Sequence, residues 1–182
     1  MQISKILIGA FALSVISSFA YADDTAFHNG TVITGFGKIA TIDSDMPLPK
    51  RLKLKVSFDV AAAGQPGTVN RKLDSLARFI NMHAEAGVPL KNMDIALVVH
   101  GGASKDLTRK DYYAAQYAGA ENKNAELIKA LVENGVEIYL CGQSAVYHDI
   151  DKSDLLPGVK MALSAMTAHA LLQQDDYTLN PF

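Results

Sequence analysis

Met93-Asp-Ile-Ala-Leu-Val-Val-His100 is the stretch on which the fold turns. Its near-continuous apolar run, of strand length and without period-two alternation, is what a strand buried on both faces carries. Such a strand belongs in a parallel sheet with helices above and below. The run stops at Gly101-Gly102-Ala103, so its carboxyl end opens into a backbone free to turn sharply or to approach a ligand.

Working outward, Leu52 to Val60 is a second strand, with Leu52, Leu54, Val56 and Phe58 on one face. After a Gly64, Pro66, Gly67 loop, Thr68 or Asn70 is placed to cap a helix. Leu73, Leu76, Ala77, Ile80 and Ala84 form its apolar stripe, and Gly87 and Pro89 end it. Downstream, Arg109 to Ala118 reads as a short helix bearing Tyr112, Tyr113 and Tyr117, a cluster read as core or subunit contact. Asn124 is read as the cap of a helix lined by Leu127, Ile128, Leu131 and Val132. Val136-Glu-Ile-Tyr-Leu-Cys-Gly-Gln-Ser144 then gives a third buried strand. Ser153 is read as capping one helical turn, Val159 to Leu163 as a strand, Ser164 as the cap of a helix over 165–174, and Tyr177-Thr-Leu as a last short strand.

Strands alternating with helices imply right-handed crossovers. The expected fold is therefore α/β, a flavodoxin-like three-layer sandwich with a mostly parallel sheet. Thr31-Val-Ile-Thr and Lys38-Ile-Ala-Thr-Ile flank Gly35-Phe36-Gly37, so residues 23–50 read as a short β-rich, hairpin-like extension, and 51–182 as the α/β domain.

Residues 1–22 read as a cleaved signal peptide. Lys5 supplies a positive n-region, Ile6 to Phe19 an apolar h-region, and Ala20-Tyr21-Ala22 a small-x-small cleavage site before Asp23. The expected mature chain is 23–182, exported to the periplasm, long enough for one domain with its own core. An uncleaved anchor is the other reading, although the apolar stretch is short for a membrane span. Without Lys5, the 17 basic residues fall three short of the 19 acidic ones. No basic run makes a nucleic-acid patch, and no further stretch is apolar enough for a membrane.

Cys141 is the one cysteine in the chain. Exported domains use cysteines in pairs, so a lone one is buried, pairs between chains, or has a function. Strand-end geometry nominates His100, Gly101, Gly102, Gly142, Gln143 and Ser144 as its supporting or ligand-binding neighbours. A thiol needs such hydrogen-bonding surroundings to ionise near neutral pH. Each of these residues has an ordinary structural role open to it as well: cysteine is among the most buried residue types, a histidine at a strand end is commonly structural, and a glycine pair commonly permits a turn. His28, His83, His148 and His169 lack zinc-ligand spacing; His148, seven residues after Cys141, could fold back on it but reads rather as a solvated loop residue. Metalloprotease, α/β-hydrolase, dithiol and nucleotide-loop motifs are all absent from the sequence, so those readings fail, and no metal or organic cofactor is implied.

At Val136–Ser144, at Asp154-Leu-Leu-Pro-Gly-Val-Lys-Met-Ala-Leu-Ser164 and in the tail Gln174-Asp-Asp-Tyr-Thr-Leu-Asn-Pro-Phe182, the chain resembles the DsrE/DsrF-like family, over roughly residues 50–182. The resemblance implies a flavodoxin-like fold, homo-oligomers (trimers or hexamers) and, at Cys141, a cysteine that in sulfur-relay members carries sulfur as a persulfide. The signal-like N-terminus departs from the familiar relay members, which work in the cytoplasm on tRNA thiolation or sulfur oxidation. Two functions follow as expectations. In one, a sulfurtransferase or sulfur carrier takes sulfane sulfur from a small sulfur compound onto Cys141 and passes it to an acceptor or partner-protein thiol. In the other, a non-enzymatic oligomeric binding module keeps Cys141 as packing. A third possibility is an intermolecular disulfide through Cys141.

Overall fold

The computed structural model describes residues 26–181, so the signal-peptide reading of residues 1–22 lies outside the described residues. Five strands form one sheet: β1 (Leu54–Val60), β2 (Met93–Val99), β3 (Glu137–Cys141), β4 (Val159–Ala162) and β5 (Thr178–Asn180). Their order is β4-β3-β2-β1-β5, and every pairing is parallel. The helices are α1 (Arg71–Glu85), α2 (Lys110–Gln116), α3 (Asn124–Glu133), α4 (Gly142–Tyr147) and α5 (Ala165–Gln174). This is the expected α/β sandwich.

The strand order explains the two faces. β1 to β4 step across the sheet in one direction, and the chain then returns past all of them to lay β5 beside β1. Right-handed crossovers put the forward helices on one face and the returning helix, α5, on the other. On the first face Val56, Phe58, Val60, Ile95, Leu97, Val99, Ile138 and Leu140 pack with Leu73, Leu76, Ile80, Leu127, Ile128 and Leu131. On the second, a smaller cluster joins Ala96, Val98 and Cys141 to Ala165, Ala168 and Leu172. Cys141 thus belongs to the thinly covered face.

Local chemistry sets the helix starts. Asn70 caps α1, its side-chain oxygen accepting from Lys72 N–H at 2.9 Å, which contributes about 1 kcal/mol. Ser164 caps α5 by accepting from Thr167 N–H at 3.0 Å. Two other expected caps are corrected. Asn124 is the first residue of α3, and its N–H is received by Asn122 at 3.0 Å. The single turn at Lys152–Asp154 is capped by Asp151 and Asp154, which receive each other's backbone N–H, and not by Ser153.

The hairpin reading of the extension is also corrected. Among residues 26–50 the one β feature is an antiparallel bridge, His28↔Ile39. The segment folds onto α1, and Asn81, almost fully buried, takes the place of a partner strand. Its side chain accepts from Ile33 N–H at 2.8 Å and donates to the carbonyls of Ile33, Phe36 and Gly37 at 3.0–3.2 Å. Gly30 lies so close that a Cβ there would sit 2.1 Å from Asn81 Cγ. Among the described residues no helix is long and apolar enough to cross a membrane.

Candidate functional site

β3 runs into α4 without a loop, and Cys141 is the last strand residue. The turn depends on Gly142, because a Cβ at that position would lie 2.6 Å from the Ala162 carbonyl oxygen of the neighbouring strand. The first turn of α4 and the start of α5 then converge on the Cys141 sulfur. Burial pushes the thiol up, but the Ser144 hydroxyl and the backbone N–H groups of Ser144, Ala165 and Gln143 around the sulfur favour the thiolate and more than offset it. The net effect holds the thiol below its ordinary range, because these donors stabilise the thiolate.

The Ser144 hydroxyl that serves the sulfur itself receives the Gly101 N–H at 3.0 Å. Gly101 has φ +54, and a Cβ on it would meet the Ala61 carbonyl at 3.0 Å. Its carbonyl is contacted by His148 Nε2 at 3.1 Å, and the His148 carbonyl accepts the Tyr112 hydroxyl. His148 is therefore a brace behind the site: it folds back toward the Cys141 end of the sheet and is not the solvated loop residue expected. Tyr113 is fully buried, in keeping with a core role for that cluster.

Cys141 is 6% exposed, yet its surroundings are not only aliphatic. It lines a cavity of about 340 Å³ with Asp59, His100, Gln143, Ser164, Ala165, Met166 and His169. Larger clefts, of about 460 and 420 Å³, lie elsewhere without a thiol or histidine in their walls. Of the residues nominated from sequence, Cys141, His100 and Gln143 meet in the cavity wall. Ser144 and Gly101 act behind them, and Gly142 makes the turn. Gly102 is exposed and lines no part of the cavity.

Register explains why His100 arrives beside Cys141: it stands one residue beyond Val99, and Val99 pairs with Leu140. The same period-two logic reveals what sequence reading missed. Val56, Phe58 and Val60 face the α1 side, so Asp59 faces the Cys141 side. Its carboxylate receives His169 Nε2–H at 2.8 Å and His100 Nε2–H at 3.2 Å. His169 follows Ala165 and Ala168 on the buried face of α5, a spacing visible in the sequence once that face is known. Among the described residues no group of three or more His, Cys, Asp or Glu is arranged to hold a metal ion.

Residues 55–181 match the DsrE/DsrF-like family. Two solved structures share the fold at a TM-score of 0.51, each covering 71% of this chain and 100% of its own length. One, at 17% identity, is a protein of unknown function, MTH1491, from Methanobacterium thermoautotrophicum. The other, at 19% identity, is the ychN protein from E. coli. No curated protein matches the chain significantly.

Proposed function

Given that the chain belongs to the DsrE/DsrF-like family, we propose that it is a periplasmic sulfur carrier working through Cys141, and that it assembles as a homo-oligomer. Family membership supports a sulfur-relay role. The observation that carries the finer reading is a thiol held below its ordinary range by the hydroxyl and N–H groups around it, in the wall of a cavity shared with two histidines and an aspartate. A carrier's cysteine must ionise to attack, and must leave as a thiolate when the sulfur moves on. Both demands are met by stabilising the same anion.

In the loading step the Cys141 thiolate attacks the outer sulfur of a donor R–S–SH. A new S–S bond forms, the donor's own S–S bond breaks, and R–S⁻ departs with the bonding pair. Cys141 is left as the persulfide, and no external oxidant or reductant enters. The periplasmic address rests on residues 1–22.

Incubation with polysulfide followed by intact mass measurement tests the reading. We expect an added sulfur that dithiothreitol removes and that Cys141→Ala abolishes. No Cys141-dependent addition would overturn it. The second reading, a binding module with Cys141 as packing, is favoured by the low exposure of the sulfur. It predicts slow alkylation of the native protein at neutral pH, where the carrier reading predicts fast alkylation.

A further inference from the structure

Asp59, His100 and His169 come from three separate elements and meet in the wall that also holds Cys141, yet loading uses none of them. The groups that hold the thiol low are a hydroxyl and three backbone N–H groups, with no imidazole among them.

The two imidazoles share Asp59 but differ at their other nitrogen. A carboxylate only accepts, so each ring presents Nε2–H to it. His169 Nδ1 is then buried with no partner, and a proton placed there would go unsatisfied. His169, with a side chain 16% exposed, serves to hold the carboxylate. The His100 side chain is 33% exposed, and its Nδ1 is neither bonded by another described residue nor sealed from solvent. One ring is locked, and the other offers an open lone pair to the cavity's surroundings.

We propose that His100 is the general base of the discharge step, taking the proton from the acceptor thiol, with Asp59 and His169 as its positioning residues. The inference rests on the carrier reading above and supplies what that reading leaves out, the fate of the acceptor's proton. The acceptor R–SH gives its proton to His100 Nδ1, and the freed pair on R–S⁻ attacks the outer sulfur of Cys141–S–SH. The R–S–SH bond forms as the bond to Cys141 breaks. The departing pair settles on the Cys141 sulfur, where the four donors receive it. The imidazolium proton then passes to solvent, and no redox partner is needed. Asp59, by receiving Nε2–H, fixes the tautomer and supports the developing positive charge. The groups facing His100 are Asp59 from β1, His169 from α5 and Cys141 from β3, with His148 beyond the Gly101 carbonyl.

The test loads wild type and His100→Gln with polysulfide, confirms equal loading by intact mass, and times discharge to excess 2-mercaptoethanol across a range of pH. At neutral pH the variant should discharge at least about tenfold more slowly. The deficit should close as pH rises past the thiol's own pKa, because solvent then supplies the thiolate. Asp59→Asn should show a smaller deficit with the same closure, and it carries the test if His100→Gln does not fold. Loading without a deficit, or with a deficit constant in pH, overturns the base role and leaves the carrier intact. Failure of wild type to load overturns both.

Discussion

Ser144 is where two strand ends are coupled. Its hydroxyl helps to hold the Cys141 thiol low and accepts from Gly101 N–H, so one side chain ties the end of β2 to the sulfur at the end of β3. Ser144→Ala removes the hydroxyl that helps to hold the thiol low and leaves the Gly101 N–H without its acceptor. The thiol is held low by these donors, so losing one moves its ionisation to higher pH. Less thiolate is then present at neutral pH. We expect iodoacetamide to alkylate the variant severalfold more slowly at pH 7. The rate–pH curve should shift upward, with both proteins converging once the thiol is fully ionised. An unshifted curve would mean that the backbone N–H groups alone set the thiolate.

At the scale of elements, a closed polar ring fixes the loops that flank the site. Asp106 receives Gly64 N–H at 3.0 Å and Asn70 Nδ2–H at 2.8 Å; Asn70 N–H reaches Asn124 at 2.7 Å; Asn122 binds Asn124 and returns to the Asp106 carbonyl at 3.0 Å. The ring joins the loop after β1, the cap of α1, the segment after β2 and the start of α3. Asp106 is fully buried, and burial drives its carboxyl above the usual range despite the two donors. The sign follows from proton binding. Between its unfolded value and the higher folded one, the native state holds the proton more tightly, so stability falls as pH rises through that window and then levels. Each unit of difference amounts to about 1.4 kcal/mol. Asp106→Asn does not titrate, so the wild-type-minus-variant difference in denaturation midpoint should decline from about pH 4 upward; a flat difference would remove this account.

Elements also show what the sequence could and could not disclose. β2 was legible because burial on both faces leaves a near-continuous apolar run, β3 because Ile138, Leu140 and Cys141 are buried within a strand-length stretch, and α1 because a long helix displays its stripe. α4, with six residues, is too short for any periodicity to register. Asp59 stayed hidden because the alternation in β1 was read for its apolar side only, and the opposite side acquires meaning when α5 returns across it. In the extension, β propensity lost to tertiary hydrogen bonding: Ile33 gives both backbone groups to Asn81, so no strand partner is needed.

For the whole molecule, the thinly covered face is decisive. Leu163, Met166 and Leu171 are 72%, 79% and 60% exposed. Leu163 and Leu171 line the cleft of about 420 Å³ beside α5, and Met166 stands in the wall of the Cys141 cavity. Apolar side chains left this open on one face are what a subunit contact would cover, and here such a contact would reach the rim of the site. The proposed homo-oligomer therefore has a direct bearing on chemistry. Leu163→Glu with Leu171→Glu should lower the mass seen by light scattering to that of a single chain while leaving the α/β circular dichroism intact. Alkylation of Cys141 then separates two arrangements. If the assembled protein and the dispersed variant react at similar rates, the subunits leave the cavity mouth open and sulfur enters from solvent. If dispersal speeds the reaction tenfold or more, the contact closes over Met166, and the donor must be delivered by a partner that displaces a subunit. Wild-type protein that scatters as a single chain at all concentrations would remove the oligomer and leave this face for a partner of another kind.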